Sequence, residues 1–296
     1  MKKTIQSFFI ITILISLLLS ACDTRKSPVL EPLDKDSAAS PTEESAAPTP
    51  SADNPVEYFA VLAAKDDYSD VGMTDMLVEY IDLKRVQNAL IEQGWDLDQM
   101  QILKGFDQAD LQVELDWLED NTDQNDLVFF YITAHGTYLR KNIDWAGFFP
   151  EQWAEITSHH RVLVVDSCSA AEFTNLINDD PNPHLSIAAV DADEYGWKGI
   201  EEEGLPIVGG IFTFYFAEAL ADFNADTDGD GLVSVQEAVL VAEEMQREYM
   251  HEVVFAVPEF VEMYHGIGVE PEKDETFPDV IIDDAVGNNL FLAVGD

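Results

Sequence analysis

Two side chains capable of nucleophilic chemistry stand at the ends of strongly apolar runs. Cys168 closes VLVVDSC, and His135 follows DLVFFYITA. A thiol attacks a carbonyl as its thiolate, and an imidazole beside it takes or balances the thiol proton, so this pair is what a thiol protease needs. Gly136 follows His135; lacking a side chain, it lets its N–H approach a developing oxyanion, with the Cys168 N–H as a second donor. Alone, Cys168 reads as a small buried hydrophobe and His135 as a strand cap. Their joint placement at two strand ends favours the catalytic reading.

A second chemistry is spelled by DTDGDGLVSVQE, Asp226 to Glu237. Asp226, Asp228 and Asp230 occupy the first, third and fifth positions of an EF-hand calcium loop. Gly231 stands where the loop turns sharply, Leu232 offers a carbonyl, Ser234 acts directly or through water, and Glu237 closes the loop. Hard oxygen donors at this spacing suit Ca2+. A dockerin module needs two such repeats and one is evident, so cohesin binding is not expected. His159 and His160 lack accompanying ligands at zinc spacing and read as surface residues.

The elements that position these residues alternate between strand and helix. Strands are expected at 58–64, 101–104, 126–133, 161–166 and 185–190, with helices at 74–93, 108–121, 150–158, 210–222 and 234–250. The closing NNLFLAVGD reads as a late strand, EPEKDETFPD before it as a solvated loop, and the five tryptophans as packing groups. Continuous apolar strands between helices predict a mostly parallel central sheet with helices on both faces, an α/β three-layer sandwich. Function in such sheets gathers at the carboxyl ends of the strands, where His135 and Cys168 both fall.

The first residues carry Lys2 and Lys3, then an apolar stretch from Phe8 to Leu19, then Ser20 and Ala21 before Cys22. LSAC, residues 19–22, resembles the lipobox of bacterial lipoproteins. The resemblance implies removal of residues 1–21 and a diacylated Cys22, hence a protein of the cell envelope, held to a membrane and facing away from the cytoplasm. With Cys22 carrying lipid, Cys168 would be the single remaining cysteine and no disulfide is expected. Residues 22–55 are rich in Ser, Ala, Pro, Thr and acid and read as a tether. Residues 56–296 are long enough for one sizeable domain. The formal net charge of −43 repels nucleic acid and attracts cations and basic peptides.

FFYITAHG and VLVVDSCSAA resemble the histidine and cysteine strands of clan CD cysteine peptidases, and most closely those of metacaspases and bacterial caspase-like proteins. GGIFTFYFAEAL, 209–220, resembles a helix that follows the fifth strand in bacterial members. Ala170 and Ala171 replace the Ser-Gly that ends the family's nucleophile motif, and the caspase Q-A-C-x-G signature is absent. The resemblance implies a caspase-like sandwich with His135 as the catalytic histidine and Cys168 as the nucleophile. It also implies that Asp166 lines a pocket for Arg or Lys, through paired hydrogen bonds to a guanidinium. Asp191, Asp193 and Glu194, just after the fifth strand, are further candidates for that pocket, and Asp67 is a weaker one. The expectation is a lipid-anchored, calcium-binding, caspase-like cysteine endopeptidase. Its rival is a catalytically inactive calcium-binding lipoprotein that serves as an interaction module.

Overall fold

The computed structural model describes residues 55–76 and 78–294. The expected signal sequence, Cys22, the expected tether up to residue 54 and Leu77 lie outside the described residues. Along the chain run β1 (Tyr58–Ala64), α1 (Glu79–Glu92), β2 (Met100–Lys104), α2 (Gln108–Asn121) and β3 (Leu127–Thr133). These lead to α3 (Gly136–Asn142), α4 (Trp145–Glu155), β4 (His160–Asp166), the single turn α5 (Ala171–Thr174) and β5 (His184–Ala188). The two-residue strands β6 (Lys198–Gly199) and β7 (Gly209–Gly210) pair with each other. After them come α6 (Ile211–Ala221), α7 (Val235–Tyr249), α8 (Pro258–Gly266) and β8 (Ile281–Asp284).

The central sheet has the order β2-β1-β3-β4-β5-β8. Its first five strands are parallel, and β8 adds antiparallel at the edge. Alternation along β1 sends Ala60, Leu62 and Ala64 to one face and Phe59, Val61 and Ala63 to the other. The first face is covered by α1, α6 and α7 through residues such as Leu83, Phe216 and Val239. The second is covered by α2, α3, α4 and α5 through Leu115, Leu139, Trp153 and Phe173. The sandwich therefore has three layers, and strands buried on both faces explain the uninterrupted apolar runs. A third apolar cluster, including Trp197, Tyr249, Met263, Tyr264 and Phe277, gathers the β6–β7 hairpin, the end of α7 and α8.

Four elements differ from the sequence expectation. Helix α1 begins at Glu79 rather than residue 74, because residues 73–76 run as a loop anchored by the Met76 N–H on the Asp66 carbonyl. Helix α4 begins at Trp145, its end capped by Asp144, whose carboxylate accepts from the Gly147 N–H, so Pro150 falls inside the helix instead of opening it. The late strand is Ile281–Asp284, not NNLFLAVGD. That segment instead crosses the α1 and α7 side of the sandwich, tied by the Trp95 indole N–H to the Leu292 carbonyl at 2.7 Å and by the Val235 N–H to the Leu290 carbonyl. Within the expected solvated loop, Phe277 is buried in the third cluster. No helix among the described residues is long and apolar enough to cross a membrane.

Candidate active site

The parallel pairing of β3 with β4 brings the two reactive residues together. Thr133 is in register with Asp166, so two residues further on His135 stands level with Cys168 at the carboxyl edge of the sheet. A β-carbon on Gly136 would lie 2.2 Å from the Cys168 carbonyl oxygen, so only glycine allows the His-Gly segment to close on the cysteine backbone. Gly136 was expected to be glycine for the sake of its N–H. The contact that demands it is with Cys168 itself. Ser169, next to the cysteine, has φ of +55°, a left-handed conformation that costs free energy for a non-glycine residue. It is held there by its N–H on the Glu194 carbonyl at 2.8 Å. The strain turns the chain sharply after Cys168, which is half-buried.

His135 is only 4 % exposed. Its Nε2 lies 3.0 Å from the Thr74 carbonyl oxygen. A carbonyl only accepts, so this hydrogen bond requires the proton on Nε2 and leaves the lone pair on Nδ1. Burial drives the imidazole down to about 4, opposed by the Thr74 carbonyl and reinforced weakly by Lys198. Tyr68 supports the histidine twice: its ring centroid lies 4.6 Å from the imidazole, and its hydroxyl accepts the His135 backbone N–H at 2.8 Å. The same hydroxyl donates to Glu79 Oε1 at 3.4 Å. Burial raises Glu79 well above the usual carboxylate range, so it stands as a neutral acid behind the tyrosine.

Cys168 is a disulfide cysteine in the structure. The only other cysteine of the sequence, Cys22, lies outside the described residues. This corrects the expectation of a chain with no disulfide.

Asp166 lies under the cleft beside Cys168, as its place in the sequence implied, but its carboxylate is already engaged. Lys198 Nζ is 3.2 Å from Oδ1, and the Thr213 hydroxyl donates to Oδ2 at 2.5 Å. Lys198 also donates to Thr133 Oγ1 at 2.8 Å and to Asp82 Oδ2 at 3.3 Å. Burial alone would pull this ammonium down, yet Asp166 and Asp82 hold it above its ordinary range and so keep it charged. Asp82 accepts in addition from the Gly210 N–H at 2.8 Å and from Arg85 at 3.0 Å. The glycine pair Gly209-Gly210 makes this closure possible, because β-carbons there would lie 2.3 Å from Asp82 Oδ1 and 2.2 Å from Asp166 Oδ2. Thr213 and these glycines all belong to the GGIFT segment recognised in the sequence. Their function is to cage the buried charges.

The other acidic candidates lie elsewhere. Asp191 caps its own turn, accepting from the Ala192 N–H, while its backbone N–H donates to Glu194 at 3.2 Å. It does not line the cleft. Asp193 is exposed, and Asp67 accepts from the Ser69 N–H in an exposed turn. Glu194 packs beneath the turn, where burial raises it to about 7 against the pull of the Asp279 N–H.

The cleft walls are apolar. Met76, Tyr195, Trp197, Met263, Tyr264 and Ile267 face the same space as His135 and Cys168. Sequence reasoning missed Thr74, Tyr68, Asp82, Lys198 and the cleft position of Trp197. None forms a local motif with the dyad. Only the GGIFT segment signalled that something must pack closely here.

The acidic loop sits apart from the cleft. Carboxylate oxygens of Asp226, Asp228 and Glu237 lie within 4.8 Å of one another. Asp226 accepts the N–H groups of Gly229, Asp230 and Gly231, and Gly229 and Gly231 adopt φ of +77° and +97°, which folds the loop around that carboxylate. Glu237 is 5 % exposed, and hydrogen bonds led by the Ser234 N–H hold it down at about 2. Three of the six expected positions therefore converge. Asp230 instead accepts from the Leu232 N–H, Leu232 is 48 % exposed, and the Ser234 hydroxyl donates to Glu237.

No known family model matches the chain, and no curated protein matches it.

Proposed function

We propose that the chain is a caspase-like cysteine endopeptidase whose reaction runs on Cys168 and His135. The observation that supports this most is the β3–β4 register, which sets the two residues level at one sheet edge, with Gly136 closed against the Cys168 carbonyl. The neutral imidazole, its Nε2–H held by Thr74, takes the Cys168 proton on Nδ1. The thiolate adds to a peptide carbonyl to give a tetrahedral adduct. The imidazolium then returns the proton to the leaving amine, leaving a thioester at Cys168, and water delivered through the same base hydrolyses it. Neutral rather than cationic histidine in the resting site makes His135 a general base.

Lipidation of Cys22 is part of this reading. A sulfur in a thioether to lipid cannot also form a disulfide, so the acylated protein carries Cys168 as a thiol. The envelope location follows from the same residue. The preference for Arg or Lys is not carried forward, because Asp166 is consumed by Lys198 and Thr213.

Calcium is the second part. Asp226, Asp228 and Glu237 would hold it, and the low proton affinity of Glu237 keeps that ligand anionic at any physiological pH. Bound there, the cation would neutralise clustered carboxylates between α6 and α7. Eight residues of α6 separate Thr213, under the cleft, from Ala221 near the loop, about 12 Å at 1.5 Å per residue. This separation supports a staple between two helices rather than a part in the chemistry.

The rival, a non-catalytic interaction module, is favoured by the disulfide state of Cys168. Both are tested by treating the acylated protein with a thiol-reactive peptide electrophile and mapping the adduct. Labelling at Cys168 with peptide cleavage, both lost in Cys168→Ala and strongly reduced in His135→Ala, is the expected result. A Cys168 that stays unreactive in acylated protein would leave the rival.

A further inference from the structure

The charges of Lys198, Arg85, Asp166 and Asp82 under the cleft are balanced, and every oxygen of the two aspartates accepts at least one donor. An ammonium has three protons to give, and those of Lys198 go to Asp166, Asp82 and Thr133. Asp166 receives Lys198 on one oxygen and Thr213 on the other. Asp82 receives Lys198, Arg85 and the Gly210 N–H. Two carboxylates thus face two cations, with Glu79 behind them neutral. A guanidinium or ammonium entering the cleft would meet an Asp166 whose charge is already matched by Lys198 and whose two oxygens each already accept a donor. A carboxylate would have to compete with Asp166 for Lys198. Either charge would be desolvated with little compensation.

What the cleft does offer is apolar surface. Trp197 is 7 % exposed, Met263 8 % and Tyr264 1 %, with Met76, Tyr195 and Ile267 completing the walls. Two methionines and stacked aromatics adapt to varied apolar shapes.

We infer that this cleft takes an uncharged apolar side chain, of the leucine, methionine or phenylalanine class, from the residue whose carbonyl Cys168 attacks. The inference rests on the peptidase reading for its reaction, but the selectivity belongs to the cleft and can be measured without it.

The test uses the full chain with Cys22→Ser, which removes the competing sulfur. Cleavage is followed on peptides identical except for Leu, Met, Phe, Arg, Lys or Asp at the attacked residue. Binding of product peptides ending in the same residues is followed separately, by calorimetry, on the Cys22→Ser/Cys168→Ala form. The apolar peptides are expected to lead the charged ones by about tenfold or more in both measurements, a modest pocket discrimination. Selective binding without cleavage would sink the peptidase reading and leave the cleft assignment standing. Cleavage with Arg or Lys equal or preferred would do the reverse. Failure of all the peptides to bind also overturns the assignment. Lys198→Met/Asp82→Asn removes one charge of each sign and leaves Asp166 without its cation. Provided circular dichroism shows it folded, it should gain at least about tenfold toward the Arg peptide. An unchanged preference in that folded variant counts against the inference, and Lys198→Met alone serves as the second variant.

Discussion

The α-carbon of Gly136 sits against the carbonyl of Cys168 so closely that an added β-carbon would lie 2.2 Å from that oxygen. The histidine segment and the cysteine segment are thus packed backbone to backbone. Gly136→Ala should separate them. A misplacement of about 1 Å at reacting groups costs on the order of a hundredfold, and overpacking costs about 1–3 kcal/mol of stability. Steady-state kinetics with urea denaturation checks both; full activity would show that the dyad does not depend on this contact.

Burial of His135, more than any charge, sets its protonation at about 4. The base form is the one that accepts the Cys168 proton, so turnover should rise with pH through about 4 and then level off on this limb. Folding follows the same sign, because the unfolded imidazole titrates at about 6.5. The contribution of this histidine to stability is full above that pH and is lost as pH falls toward 4. A pH–rate profile with an acidic limb near 6.5 would mean that the imidazole is not desolvated in the form that turns over.

Glu194 has the opposite sign. Burial raises it to about 7, so between its unfolded value and 7 the folded chain binds a proton that the unfolded chain does not. Stability from this group is present at low pH and falls as pH rises through 7. Glu194→Gln retains an acceptor for the Asp279 N–H and should raise the melting temperature at pH 8 by about 3 °C, with little change at pH 5. Equal shifts at the two pH values would refute the assignment.

Calcium should raise the melting temperature of the wild-type protein over that in chelator, as any ligand of the native state does. In Glu237→Gln that difference should be lost. Saturated turnover should be the same with and without the cation at a temperature where both forms are folded. A turnover that needs calcium would move the loop from staple to regulator.

The sheet and the placement of His135 and Cys168 at its carboxyl edge were legible because β1, β3 and β4 are buried on both faces, and such strands are spelled by runs such as VFFYIT and VLVV without polar interruption. The convergence of Asp226, Asp228 and Glu237 was legible as a spacing, although Asp230, Leu232 and Ser234 turned to neighbouring groups in the same loop. The charges beneath the cleft were not. Asp82 lies within a helix and Lys198 in GWKGI, far apart in sequence, and only the closure of Gly209-Gly210 makes them partners of Asp166. Thr74 was invisible for a different reason: it acts through a backbone carbonyl, which every residue possesses. β8 was missed because its second half is acidic.

That acidity has a consequence for the rim of the sheet. β8 is four residues long, the outermost strand beyond β5, and Asp283 and Asp284 stand on it, Asp284 exposed and Asp283 within reach of His184. An unpaired strand border invites another chain to hydrogen-bond along it, and shortness with negative charge discourages such addition. This guards against self-association through the sheet. The protection is electrostatic, and it should weaken at high salt, where the charges are screened.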